Sequence, residues 1–154
     1  MELANEECCF ELGSICVDYV RMHKDEEEIE LMRKASQLND QAIDQVIQLC
    51  AKGTLTEKEV GQQLDAIFQS LGCSGNSFDP IVGYGPNGAD GHHGCDDSKL
   101  KPGDSIVIDM GGIYQGYCSD MTRTVFYKEV SDKQREVYEL VKKANEAAEA
   151  MIKP

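Results

Sequence analysis

Two runs rich in β-branched residues, DSIVIDMGG from Asp104 and CSDMTRTVFY from Cys118, are separated only by the short stretch IYQGY. A connection that short cannot hold a helical crossover, so the two runs are expected to pair antiparallel as a β-hairpin. Helical patterns flank it. Asp25 with Glu28 makes a capping box, and Ile29, Met32, Ala35, Ala42, Ile43, Val46, Ile47 and Cys50 recur at helical spacing until Gly53. Thr56 with Glu59 repeats the box ahead of Val60, Leu64, Ile67, Phe68 and Leu71, and Gly72 stops this second helix. Ser131 with Gln134 opens a last helix with Val137, Leu140, Val141, Ala144, Ala147, Ala148 and Met151 as its apolar stripe. The stretch Phe78 to Tyr84 reads as one further strand, and around Ile15, Val17 and Val20 a short apolar alternation fits either an edge strand or a turn of helix. The order helix, helix, strand, hairpin, helix predicts an α+β fold, helices packed on an antiparallel sheet, and argues against a doubly wound nucleotide-binding sheet.

Charge narrows the function classes. Asp and Glu number 28 against 15 Lys and Arg, a formal net charge of −13 in 154 residues. Binding to a phosphate backbone by counterion release has no basic surface to use, so nucleic acid is not an expected partner. No apolar run approaches the length of a membrane span, and the start MELANEECCFELGS has neither a basic nor an apolar leader region. The seven cysteines, Cys8, Cys9, Cys16, Cys50, Cys73, Cys95 and Cys118, form no C-x-x-C pair, which suits a reduced, cytoplasmic setting. His92, His93 and Cys95 crowd together without the second ligand pair that a structural zinc site needs.

The segment GPNGADGHHGCDDSKLKPG is an unusually long irregular connection, and such loops in a compact domain are functional or disordered. Its paired histidines favour function, with either imidazole able to reach a substrate carbonyl if the loop folds over the hairpin. The hairpin itself holds two carboxylates. If its turn centres on Tyr114 and Gln115, Asp109 falls opposite Asp120, with Cβ atoms about 4.5–5.5 Å apart. Like charges so placed need a shared proton, an arginine or a cation. Strand alternation sends Arg123 to the other face from Asp120, which leaves a proton or a metal, and two hard carboxylates suit a divalent pair. The competing reading makes Asp109 the start of a turn with Gly111 and Gly112, and Asp120 a solvated strand residue.

The stretches NSFDPIVGYGPNGADGHH and LKPGDSIVIDMGGIYQGYCSDMTRTVFY together resemble the two-metal exopeptidases of the pita-bread superfamily, which unites the Xaa-Pro peptidases (prolidase and aminopeptidase P) with methionine aminopeptidase. The pattern is I-D-x-G-G, a short turn, then G-Y-x-S-D-x-T-R-T. The helical segment RMHKDEEEIELMRKASQLNDQAI favours the Xaa-Pro branch. The resemblance covers roughly residues 20–154. It implies that Asp109 is a chelating metal ligand, Asp120 the bridging one, and His92 the histidine that contacts substrate near the scissile bond. Thr122 falls beside the metal site. The implied reaction is hydrolysis of an N-terminal peptide bond, often before proline, on a peptide substrate, with two divalent ions (Mn, Co, Zn or Fe) polarising the carbonyl and holding the free amino end.

The resemblance also implies three further ligands, one His and two Glu, that would follow Pro154. On this reading residues 1–20 are a remnant of a preceding domain or linker, and residues 21–154 are the N-terminal half of a catalytic domain. The chain alone is then expected to bind metal weakly or not at all and to be inactive, and, with a strand edge and an apolar face left open, to pair with a separate C-terminal half, to self-associate, or to be a truncated product of poor solubility. Two rival readings are a non-catalytic pita-bread module that binds peptide or protein, and a small acidic structural domain with an incidental hairpin.

Overall fold

A computed structural model describes residues 12–153. Four helices and five strands follow in the order α1 (Ser14–Met22), α2 (Glu26–Ala51), α3 (Glu57–Ser70), β1 (Ile81–Tyr84), β2 (Ser105–Met110), β3 (Ile113–Tyr114), β4 (Tyr117–Cys118), β5 (Met121–Phe126) and α4 (Asp132–Glu149). The α+β expectation holds, and the open segment around Ile15 to Val20 is helix. The sequence Met1 to Glu11, with Cys8 and Cys9, lies outside the described residues.

All three capping boxes form. The Glu28 amide donates to Asp25 Oδ1 at 2.9 Å while the Asp25 amide donates to Glu28 Oε2 at 2.8 Å. Thr56 with Glu59 and Ser131 with Gln134 repeat the reciprocal pair. Each box satisfies amide donors that a helix start would otherwise leave unpaired.

The main sheet has the antiparallel order β1-β2-β5, with β2 in the middle. Alternation along β2 sends Ile106, Ile108 and Met110 into the core and leaves Ser105, Val107 and Asp109 on the opposite, half-exposed face. Against the core face pack Leu38, Ala42 and Val46 of α2 and Val60, Leu64 and Phe68 of α3. Leu64 and Phe68 have no exposed surface, so truncating Leu64 to Ala would cost about 2–5 kcal/mol. Within that core Asn39 Nδ2 of α2 donates to the Met110 carbonyl at 3.3 Å and fixes the end of β2.

The strand expected over Phe78 to Tyr84 is shorter and begins at Ile81. Pro80 has no N–H to give a ladder, and its carbonyl instead accepts from Cys95 Sγ at 3.3 Å.

The apolar stripe of α4 is present but not covered. Its N-terminus is tied to the turn before β2 by Gln134 Nε2, which donates to the Gly103 carbonyl at 2.8 Å, and Tyr138 meets Phe126 edge-on at 6.2 Å. Farther along, Leu140 and Val141 are 68% and 62% exposed, an accessibility that only polar side chains normally show on a helix facing a core.

Candidate metal and substrate site

The hairpin turn is displaced by one residue from its expected centre. Ile113 pairs with Cys118 and Tyr114 with Tyr117, so the turn residues are Gln115 and Gly116. Both have positive φ, 47° and 86°, which matches the right-handed twist of the flanking strands. Gly at the second of these positions was the available signal. The shift changes every partner by two places without changing faces.

As a result Asp109 stands opposite Thr122, not opposite Asp120. Thr122 Oγ1 donates to Asp109 Oδ1 at 2.6 Å. Asp120 lies just ahead of β5, two positions before Thr122, and is exposed. The direct like-charge opposition inferred from sequence is therefore absent, and a hydroxyl occupies the facing position. Arg123 pairs across from Ile108, on the alternate set of β5 positions from Thr122, and its guanidinium donates to the Thr122 carbonyl at 2.9 Å.

The reading of Gly111 and Gly112 as a turn after Asp109 does not hold either. These glycines sit where the hairpin passes close to other chain. The Gly111 carbonyl accepts from the Ser77 amide at 2.9 Å, and the Ser77 hydroxyl donates to the Ser119 carbonyl at 2.8 Å. A Cβ on Gly111 would collide with that Ser119 carbonyl oxygen, and one on Gly112 would strike the Phe68 ring.

The two histidines of the long loop part company. His93 is turned inward, its Nε2 2.7 Å from Glu57 Oε2. His92 is exposed, with its amide donating to Asp90 Oδ1 at 3.0 Å. Glu57 begins α3 and is completely buried. Its Oε1 accepts from the Tyr84 amide at 2.6 Å and from Asn87 Nδ2 at 2.9 Å, and its Oε2 accepts from the Asp96 amide at 3.2 Å besides His93. A buried carboxylate is tolerable only with such a set of donors. The hydrogen bond to Glu57 raises the His93 pKa, with Asp96 and Asp90 adding to the effect and burial opposing it.

Glu57 was not visible as special in the sequence, where it reads as one more acidic residue in a helix first turn. Among the described residues Glu57, His93 and Asp96 form the one group of three with ligating atoms within 4.8 Å of one another. A cation there would compete with the hydrogen bond that Glu57 already holds from His93. The crowded trio His92, His93 and Cys95 does not converge, since Cys95 Sγ accepts from the Val82 amide at 3.3 Å and His93 faces Glu57. The five cysteines among the described residues are all free. No helix there is long and apolar enough to cross a membrane.

A helix-covered antiparallel sheet that presents an acidic hairpin beside a glycine-rich histidine loop is the architecture of the N-terminal part of a pita-bread fold. The chain belongs to metallopeptidase family M24, whose model matches residues 30–154.

An uncharacterised peptidase of Staphylococcus aureus (strain MSSA476) is 35% identical over 140 residues, covering 91% of this chain and 40% of its own length. The prolidase from Pyrococcus furiosus superposes with a TM-score of 0.80 at 34% identity, over 84% of this chain and 38% of that one. The X-Pro aminopeptidase from Thermotoga maritima gives 0.81 at 37% identity, over 86% and 37%. The chain thus spans about two fifths of the length of the relatives it matches.

Proposed function

We propose that this chain contributes to a metal-dependent exopeptidase that hydrolyses N-terminal Xaa-Pro peptide bonds, with Asp109 and Asp120 as metal ligands and His92 at the substrate. The observation that supports this most is the Asp109 carboxylate itself. It stands on the half-exposed sheet face with one oxygen engaged by Thr122, and no other hydrogen bond reaches it among the described residues. The similarity to a prolidase, to an X-Pro aminopeptidase and to the Xaa-Pro dipeptidase from Bacillus anthracis favours this substrate class.

Two carboxylates suit a hard to borderline divalent ion such as Mn, Co, Zn or Fe rather than a soft one. Divalent ions held there would polarise the scissile carbonyl. Thr122 fixes which Asp109 oxygen is turned away from the strand partner, and Asp120 adds a second carboxylate on the exposed approach to β5. His92, free of side-chain partners on its own loop, supplies an imidazole for a hydrogen bond to the substrate. Two ligands leave most of an ion's coordination to others, and a further segment or a partner half would supply the one His and two Glu that the family resemblance implies.

Calorimetric titration of the chain with Mn(II) and Co(II), beside Asp109→Asn and Asp120→Asn, tests the reading together with an Xaa-Pro peptide hydrolysis assay. Weak binding that either substitution abolishes is expected. Absence of metal binding with retained affinity for peptides would instead favour a non-catalytic binding module.

A further inference from the structure

The loop from Gly85 to Ser98 is held far more firmly than its composition suggests, and most of its ties converge on one carboxylate. Glu57 takes the Tyr84 amide at the start of the loop, Asn87 in its first turn, and His93 and the Asp96 amide in its second half. The backbone adds a second set of ties to the same helix start. The Glu57 amide donates to the Ser98 carbonyl at 3.3 Å and the Lys58 amide to the Asp96 carbonyl at 2.9 Å. Asn87 Nδ2 also reaches Ser98 Oγ at 3.2 Å and closes the loop on itself. His92 stands between two fixed points, the Asp90 side chain that receives its amide and the inward-turned His93.

We propose that Glu57 and His93 form a clamp that positions the adjacent His92 imidazole toward the substrate. Glu57 and His93 touch no reacting atom and act through His92, so both are positioning residues. The proposal rests on the reading of His92 as the substrate contact. The two histidines divide the work: one is spent on a buried carboxylate so that the other is presented from a loop with a single conformation. Without the clamp a Gly-rich segment of this length would sample many conformations, and an imidazole on it would be in reach of a substrate only part of the time. The clamp also gives the buried Glu57 carboxylate one of its four donors, so the two requirements are met by one contact.

The test uses the chain with His93→Ala, His93→Gln and Glu57→Gln, read by amide hydrogen exchange and by NMR of the imidazole nitrogens. Removing a hydrogen bond to a charged acceptor should speed exchange of the Asp96 amide and its loop neighbours by about tenfold or more in His93→Ala, with α2 and β2 unchanged. The His92 ring signals should move or broaden in the same variant, and His93→Gln, which restores a donor, should return both readouts toward wild type. Unchanged loop exchange and unchanged His92 signals in both His93→Ala and Glu57→Gln would overturn the clamp. So would Co(II) perturbing the His93 signals as strongly in Asp109→Asn as in wild type, since that would make Glu57, His93 and Asp96 a cation site. A metal titration indifferent to Asp109→Asn would sink the proposed metal site instead, while exchange and imidazole signals still decide the clamp.

Discussion

Thr122 faces Asp109 across the β2–β5 ladder and donates to its Oδ1 at 2.6 Å, so the candidate metal ligand is oriented by its direct cross-strand neighbour. A hydroxyl in that position fixes the carboxylate rotamer without adding charge. Outer partners of this kind commonly change metal affinity by about 10–100-fold when removed. Thr122→Val keeps the β-branched shape and deletes the donor. It should leave the thermal midpoint nearly unchanged and weaken Mn(II) binding by about tenfold, measured by calorimetry. Equal affinity in the two proteins would show that Thr122 is only a strand residue.

Asp120 and His92 are assigned different tasks, and the assignment separates in two measurements. Once the site is complete, Asp120→Asn should remove more bound metal than His92→Ala does. His92→Ala should leave metal content intact and slow hydrolysis of an Xaa-Pro peptide once the site is complete, by about 10²-fold if the imidazole acts in proton transfer or carbonyl binding. Metal analysis after dialysis, run beside the peptide assay, checks both. Equal loss of metal in the two variants would contradict the roles.

Gly111 tests the hairpin register. A Cβ there would meet the Ser119 carbonyl oxygen, which itself accepts from Ser77, so a methyl group cannot be accommodated without moving backbone. Gly111→Ala should cost about 3 kcal/mol and lower the thermal midpoint by roughly 10 °C. If instead Gly111 and Gly112 formed a solvent-exposed turn, the same change would be nearly neutral in a denaturation experiment.

The helices were legible because their ends carry local chemistry: each capping box names its own first residue, and the core stripes of α2 and α3 follow at the helical period. The hairpin was legible as a unit, but its register was not. Tyr114-Gln115 and Gln115-Gly116 differ by one position, and only the positive φ at Gly116, favoured by its missing side chain, decides between them. Faces survive a two-place change of partner, so Asp109 keeps its face while the residue opposite it is Thr122 and not Asp120. Which histidine is free depended on Glu57, more than thirty residues away in sequence, and long-range burial of a single carboxylate leaves no periodic trace. The exposed stripe of α4 reads in sequence like any core helix, since periodicity reports amphipathicity and not what covers it.

His93 makes the loop anchor sensitive to pH. Its pKa is raised in the folded state above the ordinary value of 6.5, chiefly by the hydrogen bond to Glu57. A raised pKa means that the folded protein holds the proton more tightly than the unfolded chain. The resulting stabilisation is complete below the unfolded value and is lost as pH rises through the folded one. The thermal midpoint of wild type minus that of His93→Gln should therefore be largest near about pH 6 and shrink toward pH 9. The charged groups facing this imidazole are Glu57, Asp96 and Asp90, and all three favour the protonated ring. A difference that stayed constant across the range would mean that His93 acts only as a neutral hydrogen-bonding group.

The uncovered face of α4 carries the last prediction. Val137, Leu140 and Val141 recur at helical spacing and are 47%, 68% and 62% exposed, next to Tyr138 at 43%. Apolar surface in a contiguous stripe is stabilised by about 25 cal/mol for each Å² removed from water, so contact with any complementary apolar surface is favoured. On the polar side of the same helix Lys142 and Glu146 pair at 3.8 Å. The chain on its own should therefore associate in a concentration-dependent way, seen as a rising weight-average sedimentation coefficient. Leu140→Glu with Val141→Lys should abolish that rise while the helical circular dichroism stays the same, because neither side chain is buried and both replacements suit a helix. A single monomer boundary for the unsubstituted chain at every concentration would show that the stripe is tolerated in water as it stands.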